Sequence, residues 1–313
     1  MAWLLSALLM FVALAAPAHA QDNTQSEEEI VVTLPGPEMW RVHDSDSELF
    51  LLAVVRPLPR RVQWNTRPFE ARLRGADRFY LEAVQGADAG QLLRLMTTRR
   101  NALWNPDGAK LQDFLEPALY ARVERAAAAA DMRVRELERL RPLHAGSRLI
   151  RETAKQAGLS FDVDVANEAR RKARRARVRV EEVAFIRVGA LVNAMNALPL
   201  GADAPCLALQ LDVVERLIPA MQRRAEAWAA GDAAALRAAA GMVDEAACVA
   251  ALAEGGLTIE ELMRRRLNGW RAIVDRALAT PGRRVAAIDA ELLLRPGGLL
   301  ASLHAAGIAV EEP

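Results

Sequence analysis

Charged side chains follow two apolar segments that lie near opposite ends of this chain. The segment Leu49–Val55 leads into Arg56, and the segment Val285–Ile288 leads into Asp289 and Glu291. Carboxylates at such positions could hold an oxygen-preferring metal ion or act as general acid and base, whereas a guanidinium stays protonated and repels a cation. We predict that the two segments supply matching halves of one site.

The elements that position these side chains are predicted to be strands. Leu49–Val55 has no alternating polar residues, which favours a strand that is covered on both faces. A short helix that starts near Thr66 separates it from the next strand, Phe79–Ala83, which contains Glu82. Because a long connection joins the two strands, we expect them to pair in parallel.

Composition bounds the class of protein and its partners. The chain has 313 residues, 52% of them hydrophobic and 26% charged, so a sizeable core is available and global disorder is excluded. The net charge of +1 argues against nucleic acid or an anionic membrane as a partner of the whole protein. The basic run Ala169–Arg179 could contact nucleic acid, but we favour the solvated face of a helix that precedes a strand at Val178–Val183.

The N-terminus predicts export. Met1–Ala20 has an uncharged apolar core and ends in Ala18-His19-Ala20, the small-x-small pattern that signal peptidases accept, so we expect cleavage near Ala20. The alternative is a membrane anchor, but the apolar run is short for a span. We therefore predict a periplasmic or secreted protein without a stable membrane span after cleavage. The polar segment 21–37 is expected to be a flexible leader.

The two cysteines, Cys206 and Cys248, are 42 positions apart. In an oxidising compartment, such an isolated pair is most simply a disulfide; the alternative is two buried free thiols. Around them the sequence predicts helices, with Gly231 ending one helix and Asp232 capping the next. Thr258 is the predicted cap of a long helix that extends to Leu278.

Together these segments resemble the TraB/GumN family, whose relatives include the Tiki-type proteins. The likeness extends from Met39 to Val310. It is carried by the hairpin MWRVHDSDSELFLL, the strand FYLEA, the signature Trp228-Ala229-Ala230-Gly231-Asp232 between the two cysteines, and the last helix, which begins Gly298-Leu299-Leu300. The resemblance implies a mixed α/β fold in one domain, 38–313. Its central sheet would be built from two pseudo-symmetric halves, covered by a helical region of about 91–280.

The departures from the family pattern bear on chemistry. The family has two glycine-x-x-histidine motifs, and here the matching segments end in Arg56 and Leu292 instead of histidine. The family glutamate and arginine match Glu82 and Arg266, but Leu267 stands where the family has asparagine.

Tiki-like members are thought to be metal-dependent proteases, and this chain lacks the imidazoles that such a site needs. The resemblance therefore implies a non-catalytic relative that acts in binding or assembly, with no metal cofactor. In this interpretation Arg56 forms an ion pair with Glu82, Asp289 or Glu291. In a variant of it, Arg56 and Arg266 bind an anionic ligand, and the partner is otherwise an unidentified protein. The alternative is a metal-dependent, protease-like hydrolase that uses the remaining carboxylates.

Overall fold

The computed structural model describes residues 35–62, 64–85, 103–187, 193–194, 196–241, 248, 252 and 259–313. The predicted signal peptide, most of the leader and Thr258 lie outside these residues. The strands are β1 Met39–His43, β2 Ser47–Val54, β3 Leu58–Pro59, β4 Ala76–Gln85, β5 Leu159–Ser160, β6 Arg179–Arg187, β7 Gly282–Asp289 and β8 Ala309–Glu311. The α-helices are α1 Arg67–Leu73, α2 Pro117–Ala129, α3 Pro142–Gln156, α4 Val165–Arg175, α5 Ala204–Asp212, α6 Ile218–Ala230, α7 Ala233–Ala238, α8 Ile259–Leu278, α9 Ala290–Leu294 and α10 Leu299–Ala305. A π-helical turn, Val213–Leu217, joins α5 to α6.

One mixed sheet carries the fold, with the strand order β6–β4–β7–β2–β1–β8. The four strands from β6 to β2 run parallel, whereas β1 is antiparallel to both β2 and β8. The carboxyl ends of β2, β7 and β4 therefore meet at one edge of the sheet, where open α/β sheets bind ligands. The predicted mixed α/β class is confirmed, and the predicted symmetry between two halves stays a prediction.

The strand order corrects one expectation, the direct pairing of β2 with β4. The two strands are parallel, but β7 lies between them and pairs with both. Val285–Ile288 of β7 is buried throughout. A strand buried in this way must pair on both edges, because its backbone N–H and C=O groups cannot reach water.

Helices cover both faces of the sheet. The Phe79 ring packs against Phe69 of α1, with 5.8 Å between centroids. Glu82, three positions further along β4 and hence on the opposite face, contacts Arg266 and Trp270 of α8. Both faces of the central strands are thus covered, as the apolar run of β2 predicts.

The predicted helical region, about 91–280, also supplies β5 and β6. Within it, α2, α3 and α5 pack around a second apolar cluster that includes Val123, Leu149 and Leu207. On α4, Arg170 and Lys172 form ion pairs with Glu182 and Glu70, as expected for a solvated basic face. No helix among the described residues is both long and apolar enough to cross a bilayer.

The predicted disulfide between Cys206 and Cys248 is confirmed, with Cα atoms 4.3 Å apart. It joins α5 to the chain between α7 and α8. Leu198 and Leu252 are buried in the same small apolar cluster as Cys206. The bond and this cluster thus hold Cys248 against α5.

Candidate functional site

A cleft of about 790 Å³ opens at the carboxyl ends of β2 and β7. The two strands lie side by side there, because Val54 is the Cα partner of Asp289. The lining comes from both strand exits, from α6 and α8, and from the turn between α9 and α10. The two segments singled out in the sequence therefore do contribute to one cavity.

The carboxylates at the exit of β7 are already hydrogen-bonded. Asp289 caps α9, because its Oδ1 accepts the backbone N–H groups of Glu291 and Leu292 at 3.0 and 3.1 Å. Glu291 Oε1 accepts the N–H of Gly241 at 2.8 Å. Both carboxylates line the cleft, and both hold backbone in place there.

Arg56 does not form the ion pair that the sequence predicts. Its Nη2 lies 3.2 Å from Oδ1 of Asp164, the residue that caps α4, and about half of the side chain is exposed. This expectation is corrected: the partner is Asp164 rather than Glu82, Asp289 or Glu291. The reason is positional, since Arg56 lies two residues beyond the end of β2 and its side chain reaches the start of α4. Asp289 and Glu291 meanwhile accept backbone N–H groups.

Glu82 pairs with Arg266 instead. Arg266 Nε and Nη2 donate to the two carboxylate oxygens of Glu82 at 2.7 and 2.9 Å, and Trp270 Nε1 lies 3.3 Å from Oε2. Burial lowers the pKa of Arg266, but the hydrogen bonds and charge of Glu82 outweigh it and leave the pKa raised. Arg266 therefore binds Glu82 in this structure, whereas the sequence interpretation expected it to bind an anionic ligand.

The residues that replace the family histidines do not fit a metal ion. Leu292 is buried and offers no lone pair, and the guanidinium of Arg56 repels cations. The histidines His43, His144 and His304 lie in β1, α3 and α10, and none of them lines the cleft. Among the described residues, no three His, Cys, Asp or Glu side chains are grouped so that they could share a metal ion.

Arg224 of α6 is the cleft residue that the sequence interpretation missed. Its Nη2 donates to the carbonyl oxygen of Arg56, and its Nη1 lies 3.9 Å from Glu291 Oε2. Burial lowers the pKa of Arg224, although Glu291 and Asp289 act to raise it. One signal was available: Arg224 precedes Trp228 by four positions, so the two share a helix face.

The signature from Trp228 to Asp232 packs beside the exit of β2. Trp228 Nε1 donates to the carbonyl of Ala53 at 2.8 Å. Gly231 adopts a φ of +72°, and a Cβ there would lie 2.8 Å from the carbonyl oxygen of Gly36. Asp232 caps α7 by accepting the N–H of Ala235 at 2.9 Å, as predicted. The signature is thus explained by packing around the strand exit.

One protein-family model covers most of the chain. The model of the TraB/PrgY/gumN family matches residues 38–312, a range that includes every strand of the sheet and the whole cleft. No curated protein and no solved structure shows significant similarity to the chain.

Proposed function

The chain belongs to the TraB/PrgY/gumN family, and from this premise we propose that it is an exported, non-catalytic member that binds a ligand in its cleft. The family metal site, as the resemblance describes it, needs two imidazoles and a free glutamate. At the matching positions this chain has Arg56 and Leu292, and Glu82 is paired with Arg266. The protein would therefore use the strand edge for binding or assembly rather than for hydrolysis.

The two strand exits carry this proposal, because Arg56 and the buried Leu292 stand where the family has imidazoles. The remaining family glutamate, Glu82, is already paired with Arg266. Both carboxylate oxygens of Glu82 accept hydrogen bonds from one guanidinium, within a largely buried pair. A metal ion would have to displace that guanidinium, leaving a desolvated positive charge beside a cation. The pair thus supports a structural role for Glu82.

Export is supported by two features. The first is the signal-like sequence at Met1–Ala20. The second is the disulfide between Cys206 and Cys248, since such bonds persist mainly outside the reducing cytoplasm. A periplasmic or secreted location follows from this proposal.

Metal analysis of the purified mature protein tests the non-catalytic role. The protein is incubated with Zn²⁺, Mn²⁺ or Co²⁺, dialysed, and assayed for bound metal and for hydrolysis of a casein substrate. We expect substoichiometric metal and no hydrolysis. One tightly bound metal ion per chain, with hydrolysis that Glu82→Gln abolishes and Glu226→Gln preserves, would overturn the proposal in favour of a metal-dependent hydrolase. Glu226 is a suitable control because it is an exposed glutamate of α6.

A further inference from the structure

We propose that the cleft takes a small ligand in which a single carboxylate is attached to an apolar body, and that Arg224 anchors the carboxylate. This inference rests on the proposed function, because it names the class of ligand that the cleft binds.

Arg224 stands between the two strand exits. It reaches the β2 exit through the carbonyl of Arg56 and approaches the β7 exit at Glu291. Only a fifth of its side chain is exposed, and it lines the cleft. A ligand that enters the cleft between β2 and β7 would meet this guanidinium.

The guanidinium of Arg224 has donors to spare. A guanidinium carries five N–H donors, and among the described residues one hydrogen bond, to Arg56, uses them. The buried Nε has no hydrogen-bond partner there, and the 3.9 Å to Glu291 is too long for a hydrogen bond. The nearby Asp289 and Glu291 already accept backbone N–H groups. A partly desolvated cation with unused donors is suited to a two-pronged carboxylate.

The remaining side chains of the cleft favour a ligand whose body is apolar. Apolar side chains from the exit of β2, the π-helical turn, α6 and α8 form much of the wall, and the two methionines among them can adapt to ligands of different shape. These residues are Val55, Leu217, Met221, Met263 and Leu267. The volume lies within the range of about 300–1,000 Å³ that is typical of small-molecule sites.

The acidic residues of the cleft limit the charge of the ligand. Glu260, Asp289 and Glu291 line the cavity together with Arg56, Arg264 and Arg295, so the cleft holds charges of both signs. Asp289 and Glu291 are close enough to interact with the charge of Arg224, so a multiply charged anion bound there would be repelled more strongly than a single carboxylate. A single carboxylate places the least negative charge beside Glu291, and its apolar body can lie along α6 and α8. Aliphatic acids and N-acylated amino acids share this chemistry.

Calorimetric titration of the mature protein tests the assignment. The probes are octanoate and N-acetyl-leucine, each compared with its neutral amide. We expect at least one acid to bind about tenfold more tightly than its amide, as a charged hydrogen bond contributes. Binding of octanoate would identify the ligand as an aliphatic acid, and binding of N-acetyl-leucine would identify it as an N-acylated amino acid. Equal binding of acids and amides, or no binding of any probe, would overturn the assignment.

Two variants show whether Arg224 is responsible. Arg224→Gln should remove the preference for the acid, whereas Arg223→Gln, which changes an exposed arginine of the same helix, should keep it. If Arg224→Gln does not fold, Met263→Glu replaces it, because a second negative charge in the wall should weaken acid binding and spare the amide. An unchanged preference in the folded variant would contradict the proposal. Hydrolysis is followed in the same samples, so metal-dependent turnover would refute the non-catalytic role separately from the role of Arg224.

Discussion

Glu82 and Arg266 are 184 positions apart in the chain and form a two-pronged ion pair under α8. The pair connects β4 to the long helix that covers the sheet. Trp270, one turn further along α8, approaches the same carboxylate. Neither Glu82 nor Arg266 is among the residues that line the cleft, so the pair holds β4 against α8 rather than contacting a ligand.

Removing the cation should therefore destabilise the protein. Arg266→Met leaves a largely buried carboxylate without its partner, and we expect the free energy of unfolding to fall by about 3–5 kcal/mol. The double variant Glu82→Gln/Arg266→Met should recover part of that loss. Urea unfolding followed by circular dichroism measures both.

The control for this pair is Arg265→Met. Arg265 is exposed and pairs with Glu261 on the same helix. Its loss should cost less than about 1 kcal/mol, since exposed pairs contribute little. Equal losses for Arg265→Met and Arg266→Met would show that the contact with Glu82 is not structural.

Trp228→Phe tests the hydrogen bond between Trp228 and the exit of β2. The substitution keeps an aromatic ring but removes the donor to the buried carbonyl of Ala53. We expect a loss of about 1–3 kcal/mol, the cost of leaving a buried acceptor unsatisfied. Thermal unfolding measures it, and Trp104→Phe, at a partly exposed tryptophan, should change little. If Trp228→Phe and Trp104→Phe lower the stability by the same amount, the hydrogen bond to Ala53 does not stabilise the protein.

Gly231→Ala tests the close approach at the signature. Gly231 and Gly75 have similar positive φ angles, +72° and +76°, so alanine costs about 1–2 kcal/mol in backbone conformation at either position. At Gly75 a Cβ would meet no atom within 4 Å, whereas at Gly231 it would lie 2.8 Å from the carbonyl oxygen of Gly36. Chemical denaturation should show a larger loss for Gly231→Ala, by about 1–3 kcal/mol. Losses of the same size would exclude steric crowding as the reason for this glycine.

The cysteine pair should contribute strongly to stability. The bond closes a loop across 42 positions, which corresponds to about 4 kcal/mol in the chain-entropy model. Unfolding with and without dithiothreitol measures the contribution, and the variant Cys206→Ala/Cys248→Ala should be insensitive to the reductant. A midpoint that reduction leaves unchanged would mean that packing alone holds this segment.

Glu48 predicts a pH dependence. It pairs with Arg283 of β7 at 2.6 Å and with Arg41 of β1 at 2.9 Å. Burial raises the pKa of Glu48, but the two arginines outweigh it and hold the pKa below the ordinary value of 4.5. Because the folded state binds the proton less readily, the stabilisation is complete above pH 4.5 and is lost as the pH falls through the folded pKa.

The measurement compares the wild type with Glu48→Gln from pH 7 to pH 3. The difference in unfolding free energy should be about 1–2 kcal/mol at pH 7 and should shrink in acid. Glu226→Gln, at an exposed glutamate of α6, should show no such trend. A difference that stays constant with pH would mean that the charge of Glu48 is unimportant.

The sequence was sufficient for features that depend on local signals. The strands β2 and β7 follow from apolar runs ended by turn residues, and Gly231 and Asp232 mark a helix stop and start through backbone geometry and side-chain capping. The disulfide followed from the number of cysteines and the predicted compartment. Each of these inferences uses residues that act close to where they stand in the chain.

Contacts across the chain could not be predicted in the same way. Arg56 lies 108 positions from Asp164, and nothing in the local sequence pairs them. The insertion of β7 between β2 and β4 depends on which buried strand completes the backbone pairing. Arg224 was missed because a single arginine on a helix resembles many solvated ones until the strand exit beside it is known.

The placement of β7 has a consequence for how the chain matures. The strand at the middle of the sheet comes from residues 282–289, so β2 and β4 have no shared neighbour until that segment has been synthesised. A chain truncated before β7 would expose two unpaired apolar edges that invite intermolecular pairing. Synthesis of β7 is therefore the step that joins two aggregation-prone halves into one continuous sheet.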